Sequence, residues 1–236
     1  MNVPPKPLVI AIDGPSGVGK SSVSRAVAQR LNLAYLDTGA MFRALTWWCI
    51  QQGVDLEDQP AVTSAAKSLP LVMGTDPSSP SVQVGGVPVD EDIRATVISE
   101  SVSKVAINLG VRDELCNRQR VLIAESVRSA GGVVVEGRDI TTVVAPDAEV
   151  RILLSASQEA RLTRRAKELH GEAGEASVAA THDQIVRRDR DDSTVSEFMH
   201  AAPGVTPLDT SDLDFLHSVE AVLDVVRASR NAAHAN

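Results

Sequence analysis

The chain has 236 residues, 43% of them hydrophobic, a formal net charge of −8 at pH 7 and a pI of about 5.1. That length and apolar content support one large core, and the acidic balance argues against a nucleic-acid-binding surface while leaving room for a local basic pocket that takes a small anion. Cys49 and Cys116 lie far apart in patterns that look helical, so neither a disulfide framework nor a metal knuckle is expected. Free thiols fit a reducing cytoplasm, no segment approaches transmembrane length, and the apolar run after Met1–Pro7 is too short for a signal-peptide core.

Leu8–Asp13 is apolar and β-rich and predicts a strand. It leads into Gly14, Pro15, Ser16, Gly17, Val18, Gly19, Lys20 and Ser21, the G-x-x-x-x-G-K-[ST] pattern of a phosphate-binding loop. Glycines at 14, 17 and 19 let several backbone N–H groups point into one concavity, and the helix that follows adds its positive N-terminal end. Lys20 can then reach the β- and γ-phosphates of a nucleoside triphosphate, and the Ser21 hydroxyl can ligate Mg²⁺; Ser22 completes the candidate ATP site. Lys20–Leu31 places Val23, Ala26, Val27 and Leu31 on one helical face. Leu33–Asp37 predicts a second strand and Gly39–Gln52 a helix, in which Trp47, Trp48 and Ile50 are expected to pack rather than to bind.

Between residues 69 and 90, clusters of Pro, Gly, Asp and Ser separate short β-like runs at Leu71–Met73, Val82–Val84 and Val87–Val89, an inserted set of small antiparallel strands. Gly132–Val135 and Val150–Leu154 are compact runs of the kind buried on both faces, each followed by a helical pattern. This alternation predicts a parallel sheet covered by helices. Residues 161–200 are strongly charged and read either as a lid or as a solvated helical hairpin.

Phosphoryl transfer asks a protein for positioning and charge neutralisation, and arginine forks bind phosphate oxygens bidentately at any working pH. Candidates stand at Arg43, at Arg112, at Arg138 within Glu136-Gly-Arg-Asp139, and in 161–190. Together with the phosphate loop, the runs Leu36-Asp-Thr-Gly-Ala-Met-Phe-Arg43, Val111-Arg112 with Arg118-Gln-Arg120, Val135-Glu-Gly-Arg-Asp139 and Arg188-Asp-x-x-Asp-Ser193 resemble the bacterial cytidylate kinase family over nearly the whole length.

The resemblance implies a three-layer P-loop α/β fold with a parallel sheet of five strands, in one domain. Its core would comprise 8–37, 112–160 and 203–230, its acceptor-binding region with the β insert 38–111, and its lid 161–202. It further implies a cytoplasmic, monomeric enzyme that phosphorylates CMP and dCMP with ATP and Mg²⁺. Thr38, Arg43, Arg112 and Arg138 would hold the acceptor through its phosphate, Asp139 and Ser103 would face the base, and Arg188 and Asp192 would close over the ribose side. Lys20, Arg138, Arg165 and Arg188 would serve the transfer itself, with Arg161 or Arg164 assisting Arg165.

A carboxylate is a natural acceptor for the exocyclic amine of cytosine, whereas uracil presents a carbonyl oxygen there. Two departures from the family pattern stand out. Val195 occupies a place where relatives commonly carry an arginine, so Arg187 or Arg190 substitutes or base selection rests on Asp139 and Ser103. Thr141 stands where a glycine is usual. Two rival readings differ in acceptor or in class: a small-molecule hydroxyl kinase of the shikimate-kinase kind, with Asp37 as base, and a non-catalytic nucleotide-binding switch. No metal-binding histidine pattern is present, and acidic runs such as 90–92 read as surface.

Overall fold

The computed structural model describes residues 7–170 and 198–234. Strand β1 (Leu8–Asp13) runs into the phosphate loop and helix α1 (Lys20–Leu31), followed by β2 (Ala34–Asp37) and α2 (Thr38–Gln51). Helix α3 (Gln59–Ser68), strands β3 (Leu71–Gly74), β4 (Ser81–Val84) and β5 (Val87–Pro88), a 3₁₀ turn (Asp92–Arg94) and α4 (Thr96–Ala106) make up the insert. The long α5 (Leu109–Ala130) returns the chain to β6 (Gly132–Gly137). A π-type turn (Ile140–Val144), β7 (Val150–Ser155), α6 (Gln158–His170), β8 (Thr206–Asp209) and α7 (Phe215–His234) complete the described elements.

The main sheet is wholly parallel, in the order β2-β6-β1-β7-β8, and matches the five strands expected. Its apolar runs are covered on both faces, which explains why they lack polar alternation. On one face Ala11, Leu36, Val133 and Val135 pack with Met41 and Leu45 of α2 and Leu115 and Ile123 of α5. On the other, Ile10, Ile12, Val134, Ile152 and Leu154 pack with Val23 and Val27 of α1 and Val219 and Val222 of α7. Trp47 and Trp48 pack against the first core as expected, but Ile50, at the end of α2, is 38% exposed. The helical turn carries its side chain away from the face that Cys49 buries.

The insert's antiparallel sheet, β3-β4-β5, falls on the expected runs. It packs into the first core through Val82 and Val84, and its backbone carbonyls are tied to the sheet and α1: Tyr35 donates its N–H to the Thr75 carbonyl at 2.8 Å, and Arg25 and Gln29 of α1 donate to the Pro77 carbonyl at 2.7 and 2.9 Å. Asp90, expected at the surface, accepts the Val82 N–H at 2.9 Å and so closes the hairpin.

Parallel pairing places Asp13 beside Gly137, Asp37 beside Glu136 and Ser155 beside Asp209, so the strands end at one level and the loops that follow them share one rim. In open α/β sheets this rim is where ligands bind. At its centre Asp13, 1% exposed, accepts the N–H groups of Ile140 and Thr141 at 2.9 and 2.8 Å and the Thr141 hydroxyl at 2.7 Å. Burial pushes the Asp13 carboxyl up from its ordinary value, and these three donors oppose that shift. The consequence of Thr141 is thus structural: its hydroxyl helps fix the turn after Asp139 to the end of β1. Replacing Thr141 by Val removes one donor from a buried carboxyl, and we expect a loss of about 1–3 kcal/mol in urea unfolding at neutral pH. An unchanged midpoint and slope would show that the hydroxyl contributes nothing.

Candidate active site

The phosphate loop owes its shape to close approach of backbones. A Cβ on Gly14 would lie 2.3 Å from the Leu154 carbonyl oxygen, and one on Gly17 would lie 2.7 Å from that of Arg161, so side chains are excluded at both places. Gly19 precedes helix α1 as its N-cap and supplies no side-chain cap, which leaves the helix's first N–H groups for an anion. Lys20 bends back over the loop and donates its Nζ to the carbonyls of Gly14 and Pro15 at 2.6 and 2.8 Å. Arg161, 8% exposed, donates its Nε to the Ser16 carbonyl at 2.8 Å and supports the loop from below. Arg164 ties Val18 to the Thr210–Leu213 turn through carbonyl acceptors, while Arg165 faces the space above the loop.

The C-terminal end of β6 meets this loop. Glu136 is 3% exposed, and the Tyr35 hydroxyl donates to its Oε1 at 2.5 Å. Burial, reinforced by the nearby negative charge of Asp37, pushes the Glu136 carboxyl up to about 7, against the opposing pull of the Lys20 ammonium and the Tyr35 and Ser21 hydroxyls. Asp37 is half-buried, and the Arg43 guanidinium at 2.9 Å and the Ala40 N–H at 2.9 Å hold it below the usual carboxylate range. Two carboxylates share this region, and one holds its charge more readily than the other. The hydroxyl of Ser21 with the adjoining Glu136 carboxyl forms a hard oxygen donor set that suits Mg²⁺.

Across the cleft, Thr38 opens α2 and donates to the Glu136 carbonyl at 2.7 Å. Arg112 of α5 pairs with the Asp139 Oδ2, and both side chains are largely buried. Burial raises the Asp139 carboxyl above its usual value despite this partner. Arg138 reaches back to donate to the Gly14 carbonyl at 3.1 Å. The cleft, of about 600 Å³, is lined by Ser16–Ser22, Thr38, Arg43, Arg112, Arg138, Asp139, Arg164 and Arg165, which brings together most of the candidates named from the sequence. Ser103 is half-buried and is not part of this lining; Ser99, one turn earlier on α4, is. Arg188, Asp192, Val195, Arg187 and Arg190 lie outside the described residues, as does most of the expected lid.

The family model described as cytidylate kinase matches residues 10–228. The chain belongs to the cytidylate kinase family. Cytidylate kinase from Cutibacterium acnes is 48% identical over 221 residues, covering 93% of this chain and 96% of that protein. The cytidylate kinases of Streptomyces coelicolor and Streptomyces avermitilis are 44% and 42% identical, each covering 94% or more of both chains.

Within this member of the cytidylate kinase family, several lining residues escape sequence reasoning. Arg94, from the 3₁₀ turn, adds a further guanidinium to the cleft lining, and its positive charge also favours the charged form of Asp37. Leu213, Asp214 and the half-exposed Phe215 line the cleft beside the phosphate loop. No motif marks them, because only the fold carries the start of α7 to the phosphate loop. Among the described residues, no helix is long and apolar enough to cross a membrane.

The position of Glu136 gives a stability test with a defined sign. A carboxyl whose pKa rises from 4.5 to about 7 on folding adds stability below its unfolded value, and that contribution is lost as pH rises through 7. Relative to the parent, ligand-free Glu136→Gln is therefore expected to gain stability from pH 5 to about pH 7 and to level off above it, read by urea unfolding at each pH. A difference that stays constant across that window would contradict the burial account.

Proposed function

We propose that this protein transfers the γ-phosphoryl group of ATP to the phosphate of CMP or dCMP, giving ADP and CDP or dCDP. The observation that carries this reading is one cleft with the phosphate loop at one end, the Arg112–Asp139 pair at the other, and Arg43 and Arg138 also in its lining. The family supports a nucleoside monophosphate as acceptor and ATP as donor.

In this reading the loop N–H groups and Lys20 hold the donor's phosphates, and Lys20 exchanges its carbonyl partners for phosphate oxygens. Mg²⁺, held through Ser21 with Glu136 nearby, would supply positive charge to the phosphate oxygens. Arg43, Arg112 and Arg138 align the acceptor phosphate, whose second pKa near 6 leaves it largely dianionic, so an acceptor oxygen attacks in line without a base. This separates the reading from a hydroxyl kinase: both oxygens of Asp37, the base such an enzyme would need, are engaged by Ala40 and Arg43. Residues 38–111 serve the acceptor in this scheme, and Arg165 serves the transferring group.

Asp139 carries base choice. Arg112 occupies its Oδ2, and a carboxylate has further lone pairs to receive the cytosine amine. Uracil would set an oxygen against that carboxylate, and such a buried mismatch discriminates strongly. Asp139→Ala is expected to reduce kcat/KM for CMP far more than for UMP, measured by ADP release in parallel. Equal losses on both acceptors would remove Asp139 from base recognition. Lys20→Ala is expected to abolish turnover while the protein unfolds cooperatively as before, and retained activity would contradict the assignment of the loop.

A further inference from the structure

Arg138 lies between the two ends of the cleft and touches an aromatic ring as well as polar groups. Its guanidinium carbon stands 4.5 Å from the centroid of Phe198. Phe198 is 1% exposed, the largest fully buried side chain among the described residues, and does not belong to either main core. It forms a separate small cluster with Leu153 and Val205, with Ala202 packed against it. Leu153 is a β7 residue paired in register with Asp13, the last residue of β1 before the phosphate loop. The ring is thus anchored to the strand that borders the loop, and the cation rests over it.

This arrangement suits a cation that must receive phosphate. A ring attracts a guanidinium through its negative face, without using the N–H edge. The stack engages the flat face of the guanidinium and none of its N–H donors, one of which reaches the Gly14 carbonyl at 3.1 Å. We propose that Phe198 is a positioning residue: a fixed aromatic platform that holds the Arg138 guanidinium over the phosphate loop, in the orientation that meets the phosphate group being joined. The inference rests on the reading that Arg138 contacts phosphate. It adds the need for an aromatic face, which apolar filling alone would not impose.

The test compares kcat and kcat/KM for CMP in the parent, Phe198→Leu, Phe198→Met, Arg138→Ala and the double variants. Leu and Met keep the site apolar and of similar bulk while removing the ring face. Each is expected to lower kcat/KM roughly tenfold, and to cost less than about twofold when Arg138 is already Ala. Equal cost in both backgrounds would overturn the platform, since packing alone acts without Arg138. A collapse in Arg138→Ala with parent-like Phe198→Leu and Phe198→Met would overturn the platform and leave the phosphate contact standing. Parent-like Arg138→Ala would overturn both. A further arm uses the unmutated ring: in protein labelled with ¹⁵N-arginine, the Arg138 Nε–H resonance, identified by its loss in Arg138→Lys, is expected well upfield of the other arginines from the ring current. An ordinary position for that resonance would contradict the stack whatever the Phe198 variants do.

Discussion

The parallel register of β1 and β6 is the constraint on which the site depends. With Asp13 beside Gly137, the residues that follow each strand are forced to share one small volume. From one strand come the phosphate loop and Lys20; from the other come Arg138, Asp139 and the turn that grips Asp13. The third member, β2, ends with Asp37 beside Glu136 and starts α2 there, which brings Thr38 and Arg43 to the same rim. A slip of one residue in any of these pairings would exchange the strand's two buried faces and move its end by about 3.3 Å, taking the residues that follow out of the shared volume.

An acidic protein with a net charge of −8 can still host phosphates because the charges of the cleft are arranged locally. Backbone N–H groups and arginines form its surface, and the carboxyls beside them have assigned partners. Asp13 is held by the turn, Asp37 by Arg43, Asp139 by Arg112, and Glu136 by the Tyr35 hydroxyl. These contacts orient the arginines as much as they stabilise the acids. Buried groups of this kind are costly when unpaired, which explains why so much hydrogen bonding is concentrated where the strands end.

The sequence announces the parts whose signals are local. The phosphate loop, its flanking strand and helix, the doubly buried strands and the β insert all follow from spacing and composition, and they fall where those patterns place them. What depends on chain segments meeting in space is not legible in the same way. Arg161, Arg164 and Arg165 look alike as a charged cluster, yet Arg161 supports the loop from beneath, Arg164 fastens it to the Thr210–Leu213 turn and Arg165 faces the cleft. Which side of α6 meets the loop is decided by the packing of the sheet. Tyr35, Arg94 and Phe215 carry no motif at all, and Ile50 faces outward because the burial of α2 is one-sided. Family resemblance proposes acceptor-binding positions, but it does not reveal that Thr141 secures Asp13 or that Phe198 underlies Arg138.

The most direct test is product formation by the purified protein with ATP·Mg²⁺ and, separately, CMP, dCMP, UMP, AMP, GMP and shikimate, with the diphosphate product detected alongside ADP. The structure and its family lead us to expect rapid formation of CDP and dCDP, with the other acceptors well behind. ADP release without a cytidine diphosphate product, or phosphorylation of shikimate alone, would contradict the account.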